Sequence, residues 1–163
     1  MRKIKPLWCL LSPFTYSLEF RLSSKWMSKV HALVPLTEQE EEVDGILLQH
    51  TITHLTHAVF PIRNRMYVVD FFLPNQRAAV ECWRSTSRRG VALTWVEKNA
   101  AYVDLKFRRI KEANPDVRCI ALVEVMQAEP ELVREYVGPI MEHADFMAYE
   151  MSQLAEILRG LVI

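Results

Sequence analysis

Residues 68–83 read VVDFFLPNQRAAVECW, and this stretch decides the centre of the fold. The runs 68–73 and 78–83 are rich in β-branched and aromatic residues and flank a polar turn, so they predict a β-hairpin. Counting back from the turn along both strands brings Asp70 directly opposite Glu81 on one face. Opposed like charges destabilise a sheet unless something neutralises them. A divalent cation is the obvious candidate, and an edge hairpin with both carboxylates in water is the alternative.

Hydrophobic periodicity and helix caps place the remaining elements around this hairpin. Thr37 with Glu40 and Thr94 with Glu97 have capping-box spacing, so each pair predicts a helix start. The order helix, three strands, helix, strand, helix, strand, helix predicts the α/β class, with a mixed central sheet flanked by helices. The predicted elements are a helix at 38–50, strands at 57–62, 68–73 and 78–83, a helix at 95–113, a strand at 117–126, a helix at 130–143, a strand at 144–151 and a helix at 152–161.

Length and composition predict one globular domain in a reducing compartment. A chain of 163 residues buries roughly two-thirds of its unfolded surface. Its 20 basic and 20 acidic residues cancel, so net charge alone indicates no partner. The three cysteines show no CxxC spacing, which argues against a disulfide framework or thiolate zinc site and fits a cytoplasmic location. No convincing signal peptide and no stretch of about 20 apolar residues is present, so we expect no membrane association.

The distribution of charge is more informative than its total. Residues 84–111 contain eight basic and two acidic residues, for a net charge of +6. Residues 112–163 contain ten acidic and three basic residues, for a net charge of −7. A basic segment directly after the paired carboxylates could carry a polyanion towards them, since phosphate attraction supplies most non-specific nucleic-acid affinity. The alternative is an ordinary solvated helix face.

Several of these residues together resemble the restriction-endonuclease-like (PD-(D/E)xK) superfamily, and within it the small family related to very-short-patch repair endonucleases. The matching features are a helix-1 acid with an apolar residue three positions on, a VDF strand followed by proline, an apolar-apolar-Glu strand and the helix around Asp104. In this chain the first three are Glu40 with Val43, Val69-Asp70-Phe71 with Pro74, and Ala79-Val80-Glu81. The resemblance covers residues 36–126, which leaves 1–35 as an N-terminal extension and 127–163 as a C-terminal α/β addition to a single domain.

The resemblance implies a restriction-endonuclease-like fold and a nuclease that cuts DNA with Mg²⁺ or Mn²⁺. Asp70 and Glu81 would hold the metal, the backbone carbonyl of Cys82 would be a further ligand, and Glu40 would reach the site from the first helix. Mg²⁺ is commonly held by one or two carboxylates with waters and substrate phosphate, which suits this set. In the superfamily the position two residues after the glutamate is usually Lys, and in the related small family Asp; here it is Trp83.

A lysine from the following helix could replace the missing strand lysine. The stripe Val96, Ala100, Val103, Phe107, Ile110 marks the face of this helix that packs on the sheet. Lys106 lies roughly 80° from the centre of that stripe and Lys98 about 160° away, at 100° per residue. We therefore expect Lys106 to extend along the packed surface towards Glu81 and Lys98 to face solvent. The alternative is an ordinary lysine that covers apolar surface with its stem.

Nucleic-acid contacts are predicted next to the carboxylates. We expect Arg84, Arg88 and Arg89 to lie in the loop that leaves the glutamate strand and to contact phosphates. Trp83 could stack on a base or simply pack, and solvent-facing Lys98 belongs to the same basic segment. The resulting hypothesis is a metal-dependent endodeoxyribonuclease, a homodimer if it cuts both strands. The alternative is a catalytically degenerate relative that binds nucleic acid or a partner protein.

Overall fold

A computed structural model of the chain describes residues 35–85, 93–126 and 128–161. Over these ranges the order of elements is the predicted one, and their bounds differ from the predicted bounds mainly at two places near the C-terminus. The elements are α1 (Glu38–Gln49), β1 (Leu55–Ile62), β2 (Arg65–Leu73), β3 (Ala78–Ser85), α2 (Leu93–Ala113), β4 (Arg118–Val125), α3 (Pro130–Val137), β5 (Phe146–Ala148) and α4 (Met151–Gly160). Most of the predicted N-terminal extension lies outside the described residues.

The five strands form one mixed sheet in the order β1-β2-β3-β4-β5. Strands β1, β2 and β3 are antiparallel neighbours, and β3, β4 and β5 run parallel. Helix α2 makes the connection between β3 and β4, because two parallel strands need a crossover of a dozen or more residues. The predicted α/β class with a mixed, helix-flanked sheet is therefore confirmed. No helix in the described part of the chain is long and apolar enough to cross a membrane.

The predictions of a helix over 130–143 and a strand over 144–151 were both too long. Helix α3 ends at Val137, where the Gly138 N–H donates to the Arg134 carbonyl. The next residue is Pro139, which has no N–H to donate to a further helical turn. Strand β5 has only three residues, because Asp145 just before it bonds with its backbone N–H and its side chain to the backbone of Cys119. The chain then turns into α4.

Helices cover both faces of the sheet. Helices α2 and α3 pack on one face, and every residue of the predicted α2 stripe is buried there. Helices α1 and α4 pack on the other face through Val43, Leu47, Leu154 and Leu158. The hairpin is thus in the interior of the sheet, and the alternative of a solvated edge hairpin is wrong.

The sheet forks in the row that contains the two acids. Strand β2 pairs with β1 as far as the hairpin tip, where Ile62 faces Arg65. It pairs with β3 only from Phe71 to Leu73, although β3 stays paired with β4 up to Ser85. From this row onwards the sheet has two separate arms, one made by β1 and β2 and the other by β3 and β4. At this row the Asp70 side chain, and not a ladder hydrogen bond, connects β2 to β3.

Candidate active site

Asp70 and Glu81 lie at the base of the fork. The last paired row is Phe71 opposite Val80, so the next row places Asp70 opposite Glu81, as predicted. A side-chain hydrogen bond replaces the ladder there. The Cys82 N–H donates to Asp70 Oδ2 at 2.6 Å. This bond holds the Asp70 carboxylate in place and satisfies a backbone donor that the separation of the strands would otherwise leave without a partner.

Lys106 reaches the glutamate from α2. Its Nζ donates to Glu81 Oε1 at 2.6 Å, and both residues are buried, with 7% and 6% of their surface exposed. Lys98 lies on the side of α2 that faces solvent, away from the packed stripe, and is exposed. The helical phase therefore predicted both positions correctly. The structure places a lysine next to the glutamate without using the strand position that Trp83 occupies.

The site holds more negative charge than Lys106 neutralises. Burial raises the pKa of Glu81, and the nearby ammonium of Lys106 opposes this effect. Burial and the charge of Glu81 hold the pKa of Asp70 well above its usual range. Glu40 also raises the pKa of both carboxyls, so its charge acts on the same site. Three carboxyls around one lysine favour either a bound proton or a bound cation.

Glu40 enters this region from the first turn of α1. It is buried, its Oε2 accepts from the Thr37 N–H at 2.6 Å, and the Thr37 hydroxyl accepts from the Glu40 N–H. This is the predicted capping box, which orients the side chain. Its Oε1 lies 3.6 Å from His57 Nε2. Glu40 therefore caps the helix and also adds charge to the site, while its catalytic role stays a prediction.

His57 is a further residue beside these acids. Continuing the β1–β2 register puts it opposite Asp70, and its backbone has a positive φ of 48°. A left-handed conformation is uncommon for a non-glycine residue and marks positions where the surrounding structure imposes the backbone. The sequence carries no signal for this conformation, because it depends on where the two arms of the sheet separate.

Asp70 and Glu81 are the candidate ligands for a divalent cation at this site. No group of three or more His, Cys, Asp or Glu side chains among the described residues is arranged to hold a metal. Mg²⁺ does not require such a group, because it keeps several waters and is often held by one or two carboxylates. Asp70 and Glu81 provide these two carboxylates, with the excess negative charge that a cation would neutralise. The Cys82 side chain packs in the core on the opposite face, so only its backbone carbonyl is a candidate ligand.

Arg84 has a different position from the one the sequence predicted. It lies within β3 and not in a loop, and its guanidinium makes two hydrogen bonds to Glu42 at 2.9 and 3.0 Å and one to Glu124 at 2.8 Å. These bonds join α1, β3 and β4, so the structure assigns Arg84 to packing of the domain. Arg88 and Arg89 lie outside the described residues, and their predicted phosphate contacts stay predictions.

Trp83 packs against α2. Its ring meets that of Trp95 edge to face at 5.8 Å, and its Nε1 is buried without a hydrogen-bond partner among the described residues. Trp95 and Tyr102 are 45% and 61% exposed, and with Lys106 they share one face of α2 by their spacing of seven and eleven residues. The Tyr102 ring centroid lies 5.4 Å from the Lys106 Nζ. The spacing of seven and eleven residues is visible in the sequence and would have indicated a partly exposed aromatic face beside the carboxylates.

Comparisons with known proteins identified no relative of this chain. No family model matches the sequence, and no curated protein or solved structure matches the chain at a significant level.

Proposed function

We propose that the protein is a metal-dependent nuclease that hydrolyses phosphodiester bonds in DNA, with a restriction-endonuclease-like arrangement of its site. The observation that carries the proposal is the buried pair of Lys106 and Glu81, joined at 2.6 Å beside Asp70 at the fork of the sheet. An acid pair opposed across two strands, with a lysine within hydrogen-bond reach, can hold a metal ion and orient a water for phosphodiester hydrolysis. The Glu40 carboxylate caps α1 and that of Asp70 accepts from the Cys82 N–H, but three carboxyls at one buried point still carry more negative charge than Lys106 neutralises.

Each described residue then has a chemical task. Asp70 and Glu81 would hold Mg²⁺ or Mn²⁺, which neutralises charge on the phosphate and increases the acidity of bound water. Lys106 keeps a positive charge at the same point and can orient the attacking water by a hydrogen bond. The water oxygen forms the new P–O bond and gives up a proton to solvent, the ester P–O bond breaks, and the leaving oxygen takes up a proton, so that the products are a phosphomonoester and a hydroxyl end. The aromatic face of Trp95 and Tyr102 adjoins this point and offers surfaces on which bases stack.

A second candidate function is binding without cleavage. Trp83 stands at the strand position where the superfamily usually has a lysine, and in the structure its ring packs on Trp95. A degenerate member would keep the scaffold and the basic segment but lose turnover. The position of Lys106 favours the enzyme, because it restores the ammonium that the strand lacks.

The test is cleavage of a supercoiled plasmid with Mg²⁺ or Mn²⁺. Native protein should convert it to nicked circles or, if two copies act together, to linear DNA. Asp70→Asn and Lys106→Gln should each lower the rate by at least about 10²-fold, the range of a lost general acid–base or positioning group. Lys98→Gln is the matched comparison, since it removes the same charge from the exposed side of α2 without touching Glu81; it should weaken DNA binding at most and leave the cleavage rate at saturating DNA unchanged.

Two measurements separate the candidate functions. If the native protein binds DNA but never cuts it, the second candidate function, binding without cleavage, is correct. If it cuts, and Lys106→Gln keeps full activity with a native circular dichroism spectrum, Lys106 has no part in the mechanism. Calorimetry with Mn²⁺ checks the metal directly, because binding that is equal in the native protein and Asp70→Asn would exclude Asp70 as a ligand.

A further inference from the structure

A cavity of about 310 Å³ lies between the β1–β2 hairpin and α2. Its volume is at the lower end of the range for small-molecule sites, which begins at about 300 Å³. It lies on the outer arm of the fork, away from the row of Asp70 and Glu81. Its lining consists of Ile62, Arg63, Asn64, Arg65, Tyr67, Leu105 and Arg109.

Three of the seven lining residues are arginines. Arg109 pairs with Glu112 at 2.8 Å. Arg63 and Arg65 make no ion pair within the described part of the chain. Three guanidinium groups around one cavity repel each other, and Glu112 is the one carboxylate paired with them among the described residues. The cavity therefore has an excess of positive charge that an anion would neutralise.

The backbone holds one of these arginines in an uncommon conformation. Arg63 is the first of the two residues that connect β1 and β2, and its φ is 53°. Glycine, asparagine and aspartate are the usual residues with positive φ in such turns, and an arginine there costs conformational energy. This turn conformation places the Arg63 guanidinium at the tip of the hairpin, where it lines the cavity.

We propose that the Arg63–Arg65–Arg109 cavity is a binding site for a phosphate group. The guanidinium of arginine is planar, and its donors match two phosphate oxygens. Here the arginines come from two elements, the β1–β2 hairpin and α2. Arg65 is five residues from Asp70 along β2, which corresponds to roughly 17 Å in a strand. On the α2 side Arg109 is only one helical turn from Lys106, so it is a phosphate held by Arg63 and Arg65 at the hairpin tip that is separate from any phosphate at the acids.

Two sources could supply the phosphate. One is the backbone of DNA, where 17 Å corresponds to about five steps of a duplex at 3.4 Å each. This source rests on the proposed function. The other is the phosphate of a free nucleotide, which does not depend on it. Both present the same chemistry to the arginines, so the experiment must distinguish them.

The experiment uses the full chain in a chelator, so that cleavage cannot occur. The cavity variant Arg63→Gln/Arg65→Gln is compared with Arg118→Gln/Arg159→Gln, which removes two exposed arginines outside the cavity and outside the basic segment and changes net charge equally. Fluorescence anisotropy measures binding of a labelled DNA duplex as a function of salt. Calorimetry measures binding of a nucleoside 5′-monophosphate. Circular dichroism checks that both variants fold.

Each outcome decides the proposal. A fall of about 0.9 in the slope of log affinity against log salt, in the cavity variant alone, shows that DNA supplies the phosphate. Saturable monophosphate binding that is lost in the cavity variant alone shows that a free nucleotide supplies it. If both variants lose binding equally, or neither does, the cavity is not a phosphate site. None of these readings requires cleavage, so a failure here is distinguishable from a failure of the proposed nuclease activity.

Discussion

Replacing Lys106 with methionine should destabilise the domain far more than replacing Lys98. Methionine keeps most of the volume of the stem but removes the ammonium that pairs with Glu81 at 2.6 Å. Removal of one partner from a buried ion pair costs about 3–5 kcal/mol, because the other charge stays buried without compensation. For a chain of this size each kcal/mol lowers Tm by about 2–4 °C, so Lys106→Met should lower it by roughly 6–20 °C. Exposed Lys98→Met should stay within about 0.5 kcal/mol of the native protein.

A double-mutant cycle isolates the pair. Glu81→Gln alone leaves the ammonium buried and should also destabilise, whereas Lys106→Met combined with Glu81→Gln removes both charges. The double variant should be at least about 2 kcal/mol more stable than the sum of the single effects predicts. Urea unfolding followed by circular dichroism, in a chelator at neutral pH, measures all four proteins. Strict additivity, or a Lys106→Met effect no larger than that of Lys98→Met, would refute the buried pair as the structure shows it.

Two further predictions concern pH and Arg84. Burial raises the folded-state pKa of Asp70 and Glu81 above their ordinary values of 3.8 and 4.5. The stability that these carboxyls contribute when protonated is therefore present below those values, and it is lost as pH rises through the raised pKa. Asp70→Asn, which cannot ionise, should therefore gain stability relative to the native metal-free protein as pH rises from about 3.8 through the raised pKa of Asp70, and a pH-independent difference in urea unfolding would contradict this. Arg84→Gln breaks three hydrogen bonds to carboxylates and should cost about 1–3 kcal/mol without changing the salt slope of DNA binding; a reduced slope with unchanged stability would instead support the phosphate contact predicted from the sequence.

Much of the candidate site was predictable, and the part that was not depends on how strands pair. The opposition of Asp70 and Glu81 followed from counting along the hairpin, because side chains alternate faces with a period of two. The position of Lys106 followed from the helical period of α2. Arg84 was misplaced because strand β3 continues two residues beyond its apolar run. No local pattern extends the strand, because the pairing comes from β4, which lies 40 residues further along the chain.

The order of the elements, the α/β class and the register of the hairpin were determined by the sequence alone. Local periodicity, caps and turn residues carry this information, and each acts within a few residues of the chain. The fork of the sheet, the left-handed His57 and the arginine cavity were decided only in the tertiary structure. They arise where β2 leaves β3 and where the tip of the β1–β2 hairpin meets α2, between segments far apart in sequence. Such contacts depend on the packing of the whole sheet, so no local pattern records them.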